Sequence, residues 1–289
     1  MSELLWQKPI FILGNPRSGT SLLRLMLDSH KDICIPPESH FFLWLESKYG
    51  EWEIGLLDRY LNDLFDATKF ETWSIDKENL KTYLASKSIQ SYAQLNSLVY
   101  AYYASLKPKN IKFWGDKNSL WIEKLPKIKA YYPKAFYIHI IRDGRDIACS
   151  YKELGKKKVT SKYAPKLPSE IDVIAQDWSK NIAAIDLFFK GVETDNKVVI
   201  HYEDLINNTK NTLIQVLHKI GLELTTAQTE YYKKPRTEIE PEAFFGWKEK
   251  LTKPPDISNI GKYKKELTLN EIEIFNNLAE STLSKYHYL

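Results

Sequence analysis

The chain has 289 residues, with 41 basic and 37 acidic side chains and a formal net charge of +4 at pH 7. This mild surplus suits an anionic ligand and does not argue for a nucleic-acid partner. Two cysteines, Cys34 and Cys149, exclude a disulfide scaffold in a chain of this length and favour a reducing compartment. No stretch approaches the roughly 20 apolar residues of a membrane span, and no signal-peptide core opens the chain. We therefore expect a cytoplasmic protein without a membrane partner.

Short apolar runs alternate with helical patterns along the chain. Residues 9–14 (PIFILG) are typical of a buried parallel strand, and residues 20–29 of the buried helix that follows it. Further strands are predicted at residues 32–37 (DICIPP), 111–117 (IKFWGDK), 135–141 (AFYIHII) and 197–202 (KVVIHY). Strands that alternate with helices predict an α/β fold, in which helices flank a parallel sheet.

No linker divides the chain, so residues 1–289 are predicted to form a single domain. Residues 40–108 are aromatic-rich with a helical pattern and predict a helical insertion. Residues 235–263 carry four prolines and no clear period, which predicts an irregular C-terminal lid. Residues 155–168 are basic and interrupted by glycine and proline, and predict a loop.

A glycine-containing turn follows the first strand and opens the first helix, as Gly14–Ser21 (GNPRSGTS). This arrangement binds anions, because backbone N–H groups and the helix dipole point at the ligand. The nucleotide triphosphatase loop G-x-x-x-x-G-K-[ST] has a lysine where Thr20 stands here, and Arg17 supplies a cation inside the loop instead. Nucleotide triphosphate chemistry is therefore disfavoured, although a kinase-like phosphotransferase stays an alternative.

A second anion motif is predicted at Ile140–Ser150 (IIRDGRDIACS). Arg142 ends a strand and can give a bidentate contact to a phosphate, and Ser150 lies two helical turns later. Asp143 is placed as an N-cap, and Arg145 can pair with a neighbouring carboxylate.

These two motifs together resemble those of the PAPS-dependent sulfotransferases, which transfer a sulfuryl group from 3′-phosphoadenosine 5′-phosphosulfate (PAPS) and release PAP. The segments FWGDK, residues 201–224 and residues 257–268 follow in the family's order. The resemblance implies a P-loop-like sulfotransferase fold, PAPS as cofactor and no required metal. It also implies two sets of cofactor-binding residues: Arg17, Ser18, Gly19, Thr20 and Ser21 at the 5′-phosphosulfate, and Arg142 and Ser150 at the 3′-phosphate.

The resemblance extends to the adenosine end of the cofactor. It implies that Tyr202 lies near the adenine and that Ser258, Gly261 and Lys262 close over the 3′-phosphate. Trp114 is either a stacking residue or a core residue.

Sulfuryl transfer needs a base for the acceptor's proton and cations near the leaving oxygen. Glu38, after the second predicted strand, resembles the glutamate of the tyrosylprotein and heparan branches and is our candidate base. His40 is its rival, and a helix-start role stays open for both residues. Arg17 and Lys117 are the candidate catalytic cations; Lys117 resembles the family lysine that reaches the bridging oxygen.

The sequence therefore predicts a sulfotransferase that acts on a hydroxyl or amine, with a small natural product or a glycan as the expected acceptor. A protein that binds PAPS or PAP without catalysis is a further alternative, and a homo-oligomer stays open. The basic loop at residues 156–162 is either a solvated tip or a contact for an anionic acceptor.

Overall fold

The computed structural model of the chain describes residues 8–289, without the side chain of Leu120. Five parallel strands in this part of the chain form one sheet of order β2-β3-β1-β4-β5. The strands are β1 (Ile10–Leu13), β2 (Ile33–Cys34), β3 (Phe113–Lys117), β4 (Phe136–Ile141) and β5 (Lys197–His201). The predicted α/β fold with a parallel sheet is confirmed.

Helices fill the connections of the sheet. Those before β4 are α1 (Thr20–Asp28), α2 (Phe41–Trp44), α3 (Glu46–Tyr49), α4 (Leu57–Asp66), α5 (Lys77–Ala85), α6 (Tyr92–Ser105) and α7 (Leu125–Tyr131). Those after β4 are α8 (Gly144–Gly155), α9 (Ile171–Lys190), α10 (Tyr202–Asn207), α11 (Thr209–Lys219), α12 (Thr226–Thr229), α13 (Arg236–Ile239), α14 (Phe245–Lys248), α15 (Tyr263–Glu266) and α16 (Leu269–Lys285). Helices α2 to α6 occupy the segment between β2 and β3.

The alternation of side chains along β1 explains the two layers on the sheet. Ile10 and Ile12 point to one face and pack with residues of α1 and α11. Phe11 and Leu13 point to the other face and pack with the helical insertion and α9. All four side chains are buried, as a central strand covered on both faces requires.

Two predicted segments differ from the structure in detail. The second strand ends at Cys34 and not at residue 37, since Pro36 and Pro37 have no N–H to donate to a neighbouring strand. The proline-rich segment at residues 235–263 is not irregular throughout. It contains α13, α14 and 3-10 turns at Glu242–Phe244, Glu249–Thr252 and Ile257–Asn259, each too short to show a helical period.

Several side chains with possible chemistry belong to the core. Trp114 is buried and stacks on Tyr100 at 4.2 Å, so it is a core residue and not an adenine platform. Cys34 and Cys149 are free and buried, as predicted. His139 is buried in mid-strand, where burial lowers its pKa to about 3.

Within residues 8–289, no helix combines the length and the apolar character that crossing a lipid bilayer requires.

Candidate active site

A cavity of about 440 Å³ opens where the carboxyl ends of β1, β3 and β4 meet. This edge is where open parallel sheets bind ligands. The structure brings ten predicted site residues to its wall, and these are Arg17, Gly19, Thr20, Ser21, Glu38, His40, Lys117, Arg142, Ser150 and Tyr202. The volume lies within the range of small-molecule sites.

The turn between β1 and α1 is held tightly against β4 and Tyr202. A Cβ atom at Gly14 would lie 2.7 Å from the carbonyl oxygen of Ile140. Gly19 has a φ of +98°, and a Cβ atom there would lie 2.5 Å from the ring of Tyr202. Only glycine fits either position, so the backbone of the turn packs directly against β4 and Tyr202.

Two guanidinium groups meet beside this turn. Arg17 donates from Nε to the Oγ of Ser150 at 3.1 Å, and Arg142 donates from Nη1 to the carbonyl oxygen of Arg17 at 3.2 Å. Burial, followed by the nearby charge of Arg142, lowers the pKa of Arg17. The two predicted anion motifs are therefore in contact, and both present positive charge to the same cavity.

Arg142 also contacts the residue expected at the adenine. Its guanidinium lies 4.4 Å from the centre of the Tyr202 ring, and its Nη2 donates to the carbonyl oxygen of Asn259 at 2.7 Å. The Nε atom of Arg142 is buried, with no hydrogen-bond partner among residues 8–289. A buried donor without a partner fits a site that binds an anion.

The C-terminal residues predicted to bind the cofactor do not line the cavity. Ser258 is exposed, and Lys262 lies 3.6 Å from each of two carboxylates. The N–H of Gly261 donates to Asp146 at 2.7 Å, which holds this turn toward α8. From this segment, Asn259 reaches the cavity instead.

Ser18 also differs from its predicted role. Its N–H donates to the carbonyl oxygen of Asn15 at 3.1 Å, which closes the turn, and its side chain does not line the cavity. The Oγ atom is buried without a hydrogen-bond partner in the described part of the chain.

Glu38 lies at the centre of a buried charge cluster. One carboxylate oxygen accepts from Lys117, and the other accepts from Lys69 and lies 3.2 Å from Nε2 of His40. Burial alone would raise the pKa of Glu38, but Lys117, the bond to His40 and Lys69 together hold it well below its ordinary value. The carboxylate is therefore ionised at neutral pH and acts as an acceptor only.

Short-range contacts explain how these groups converge. The N–H of His40 donates to the carbonyl oxygen of Thr68 at 3.3 Å, which places the Glu38 loop beside the turn that begins at Lys69. Asn118, which follows Lys117 at the end of β3, donates to the carbonyl oxygen of Ser39 at 3.3 Å.

Among the cavity residues that escaped the sequence analysis are two lysines close to Glu38 and Glu240. Lys69 has a φ of +71° in a turn of the insertion, and no motif marks it. Lys248 ends α14 and lies 3.0 Å from Glu240, which also pairs with Arg24 at 2.9 Å. Burial lowers the pKa of Lys248 to about 8 in spite of this pairing. Neither lysine has a local sequence signal, because only the tertiary fold brings it to the cavity.

Comparison with known proteins decides the family. A model of the sulfotransferase family matches residues 9–226, about three quarters of the chain. The chain belongs to the sulfotransferase family. It is an enzyme of that family, and the recognition made from the two anion motifs is confirmed.

Solved structures of other sulfotransferases show the same fold. The sulfotransferase domain from the curacin biosynthetic pathway matches with a TM-score of 0.64 and 21% identity, covering 94% of this chain and 97% of that one. The sulfotransferase domain of a Synechococcus olefin synthase gives a TM-score of 0.61 and 20% identity, covering 94% of each chain. A mouse sulfotransferase complexed with PAP gives a TM-score of 0.51 and 14% identity, covering 96% of this chain and 84% of that one.

Curated relatives of this sulfotransferase are longer than the chain. Nodulation protein NoeE of Sinorhizobium fredii is 24% identical, covering 94% of this chain and 64% of the relative. The protein-tyrosine sulfotransferase of Drosophila melanogaster is 21% identical, covering 78% of this chain and 41% of the relative.

Proposed function

We propose that this sulfotransferase takes the sulfuryl group from PAPS and transfers it to a hydroxyl or amine of its acceptor. The observation that carries the proposal is that two guanidinium groups, the half-buried one of Arg17 and the buried one of Arg142, line the same cavity as Glu38 and Lys117. The mouse relative complexed with PAP supports the same choice of donor.

The residues present fit the donor's charge. The phosphosulfate would be held by the turn before α1, together with Arg17, Thr20 and Ser21. Helix α1 begins at Thr20 beside the cavity, and a helix N-terminus binds anions through its free backbone N–H groups. Arg142 and Ser150 would hold the 3′-phosphate. PAPS supplies an activated sulfuryl group with a phosphate leaving group.

Glu38 is the proposed base. An ionised carboxylate accepts a hydrogen bond from an acceptor hydroxyl and orients its oxygen, and it takes up the proton as the new bond to sulfur forms. The low pKa of Glu38 makes it a weak base while both lysines contact it. When Lys117 also interacts with the leaving oxygen, its hold on Glu38 weakens, and Glu38 becomes a stronger base. His40, on the same carboxylate oxygen as Lys69, stays the alternative base.

The acceptor space is proposed to lie between the helical insertion and the loops at residues 156–167. Lys162 of that loop lines the cavity and pairs with Glu71 of the insertion at 3.1 Å, so the loop and the insertion are in contact beside the cavity. We further propose that the chain forms one domain with a lid at residues 235–263. The enzyme is proposed to be cytoplasmic and to act on a small natural product or a glycan. The sulfotransferase domain from the curacin biosynthetic pathway supports a natural product, and the protein-tyrosine sulfotransferase supports a tyrosine hydroxyl.

PAP is expected to raise the thermal stability of the protein far more than ATP with magnesium does. A ligand that binds only the native state adds about 2.7 kcal/mol at 100 times its Kd. Thermal unfolding with each nucleotide over a range of concentrations measures the difference. Equal or larger stabilisation by ATP with magnesium would favour the kinase-like alternative.

A further inference from the structure

The region around Glu38 and Glu240, in and behind the cavity wall, contains more buried positive charge than negative charge. Glu38 is shared by Lys69 and Lys117, and Glu240 is shared by Arg24 and Lys248. The side chains of all four cations are at most 12% exposed. Two carboxylates thus face four cations, before Arg17 and Arg142 are considered.

Other acidic groups nearby do not offset this surplus. Burial raises the pKa of Asp116, the residue before Lys117, to about 8, so that it is largely neutral at pH 7. The charge of Asp28 raises the pKa of Arg24, but Asp28 already has a counter-charge in Lys109 at 3.5 Å. Glu153, at the other end of the cavity, lies 3.0 Å from Lys250. Burying a charge without a counter-charge is costly, so a compensating anion stabilises the site.

Two of these four cations meet at one aromatic ring of the cavity wall. Lys69 and Lys248 both lie over the ring of Phe244, at 5.7 Å and 4.7 Å from its centre. Both lysines line the cavity, and Phe244 and Trp247 give it an apolar wall beside them. The neighbouring loop adds Tyr163, whose ring lies 5.9 Å from that of Phe244.

We propose that Lys69 and Lys248 form an oxyanion site for the acceptor, which carries a carboxylate, phosphate or sulfate group on an apolar body. This rests on the proposed function, which uses Lys117 and Arg17 for the donor and leaves these two lysines for the acceptor. The Phe244 wall then contacts the apolar body, and Glu38, bound to Lys69, lies next to the anion.

Calorimetric titration of the PAP-loaded protein with matched small probes tests this proposal. The pairs are benzoate against benzamide, and phenyl phosphate against phenol. We expect at least one anion to bind about tenfold or more tightly than its neutral counterpart, as charge-assisted bonds to buried lysines require. In Lys248→Met and in Lys69→Met this preference is expected to fall at least severalfold, whereas Lys253→Met, an exposed lysine five residues beyond Lys248, is expected to keep it.

The possible outcomes separate the two proposals. If PAP binds but no anion is preferred, or if none of the probes binds, the oxyanion site is wrong and the proposed donor stands. The same follows if the preference persists in both cavity variants. If PAP itself fails to bind, the proposed function is wrong, and the assignment of this anion to an acceptor is wrong with it. Two variants from different segments keep the test valid if one of them does not fold.

Discussion

Replacing Glu38 with glutamine is expected to lower single-turnover sulfuryl transfer from PAPS by at least about 100-fold, because a positioned base contributes roughly 10²–10⁴. The amide keeps the size of the side chain but cannot take a proton. PAP affinity is not expected to weaken, since Glu38 contacts none of the residues assigned to the two phosphates, and the substitution leaves the positive charge of Lys117 in place. Rapid-quench transfer assays and calorimetric PAP titration measure the two quantities on the same preparation.

His40→Asn is the matched control for this prediction. His40 lies 3.2 Å from Glu38 and 3.3 Å from Lys69, so its loss disturbs the same cluster without removing the carboxylate. Transfer is expected to fall less than in Glu38→Gln. If His40→Asn abolishes transfer while Glu38→Gln remains active, His40 is the base. If both remain active, the acceptor is nucleophilic on arrival, as a neutral amine is, and N-sulfation replaces O-sulfation.

Replacing Arg142 with alanine is expected to weaken PAP binding far more than the binding of adenosine 5′-phosphosulfate, which has no 3′-phosphate. The lost charge-assisted contact is worth roughly 1.5–3 kcal/mol. Arg142 donates to two carbonyl oxygens and keeps a buried Nε without a partner among the described residues, so a ligand would complete its hydrogen bonds. Calorimetry with both nucleotides gives the difference.

Arg142→Lys is the control that separates charge from shape. A lysine keeps the charge but lacks the planar fork, so part of the preference for PAP should return. If Arg142→Ala weakens both nucleotides equally, the residue acts through its bonds to Arg17 and Asn259 and holds the cavity wall, not the 3′-phosphate.

Local pattern was enough to predict the sheet and the anion turn. Strand β1 is a continuous apolar run and β4 is one apart from His139, as is typical of strands buried on both faces. The turn at Gly14–Gly19 is short and constrained by its own glycines. The C-terminal segment was harder, because Asp146 accepts from the N–H of Gly261 at 2.7 Å and from that of Tyr263 at 3.0 Å, across more than 110 residues of sequence. These bonds hold the turn toward α8, and no local pattern encodes them.

The proposed base and the charges around it differ in the same way. Glu38 comes four residues after β2 and Lys117 ends β3, at the edge of the sheet where the fold itself predicts a ligand site. Lys69 and Lys248 reach the same place from a turn of the insertion and from a four-residue helix, and their role depends on contacts with Glu38 and Glu240 that form only on folding. The sequence therefore predicted the cavity residues of the anion turn and the strand ends, and it missed the two lysines that only the tertiary fold brings there.

Sulfuryl transfer from labelled PAPS tests the central proposal most directly. The protein would be incubated with sulfur-labelled PAPS and fractionated extract of the source organism, and products would be identified by mass spectrometry. We expect a labelled product that forms with the wild-type protein and falls at least about 100-fold with Glu38→Gln. Absence of labelled product in every fraction, together with transfer of the terminal phosphate from ATP, would contradict the proposal that this enzyme is a PAPS-dependent sulfotransferase with Glu38 as its base.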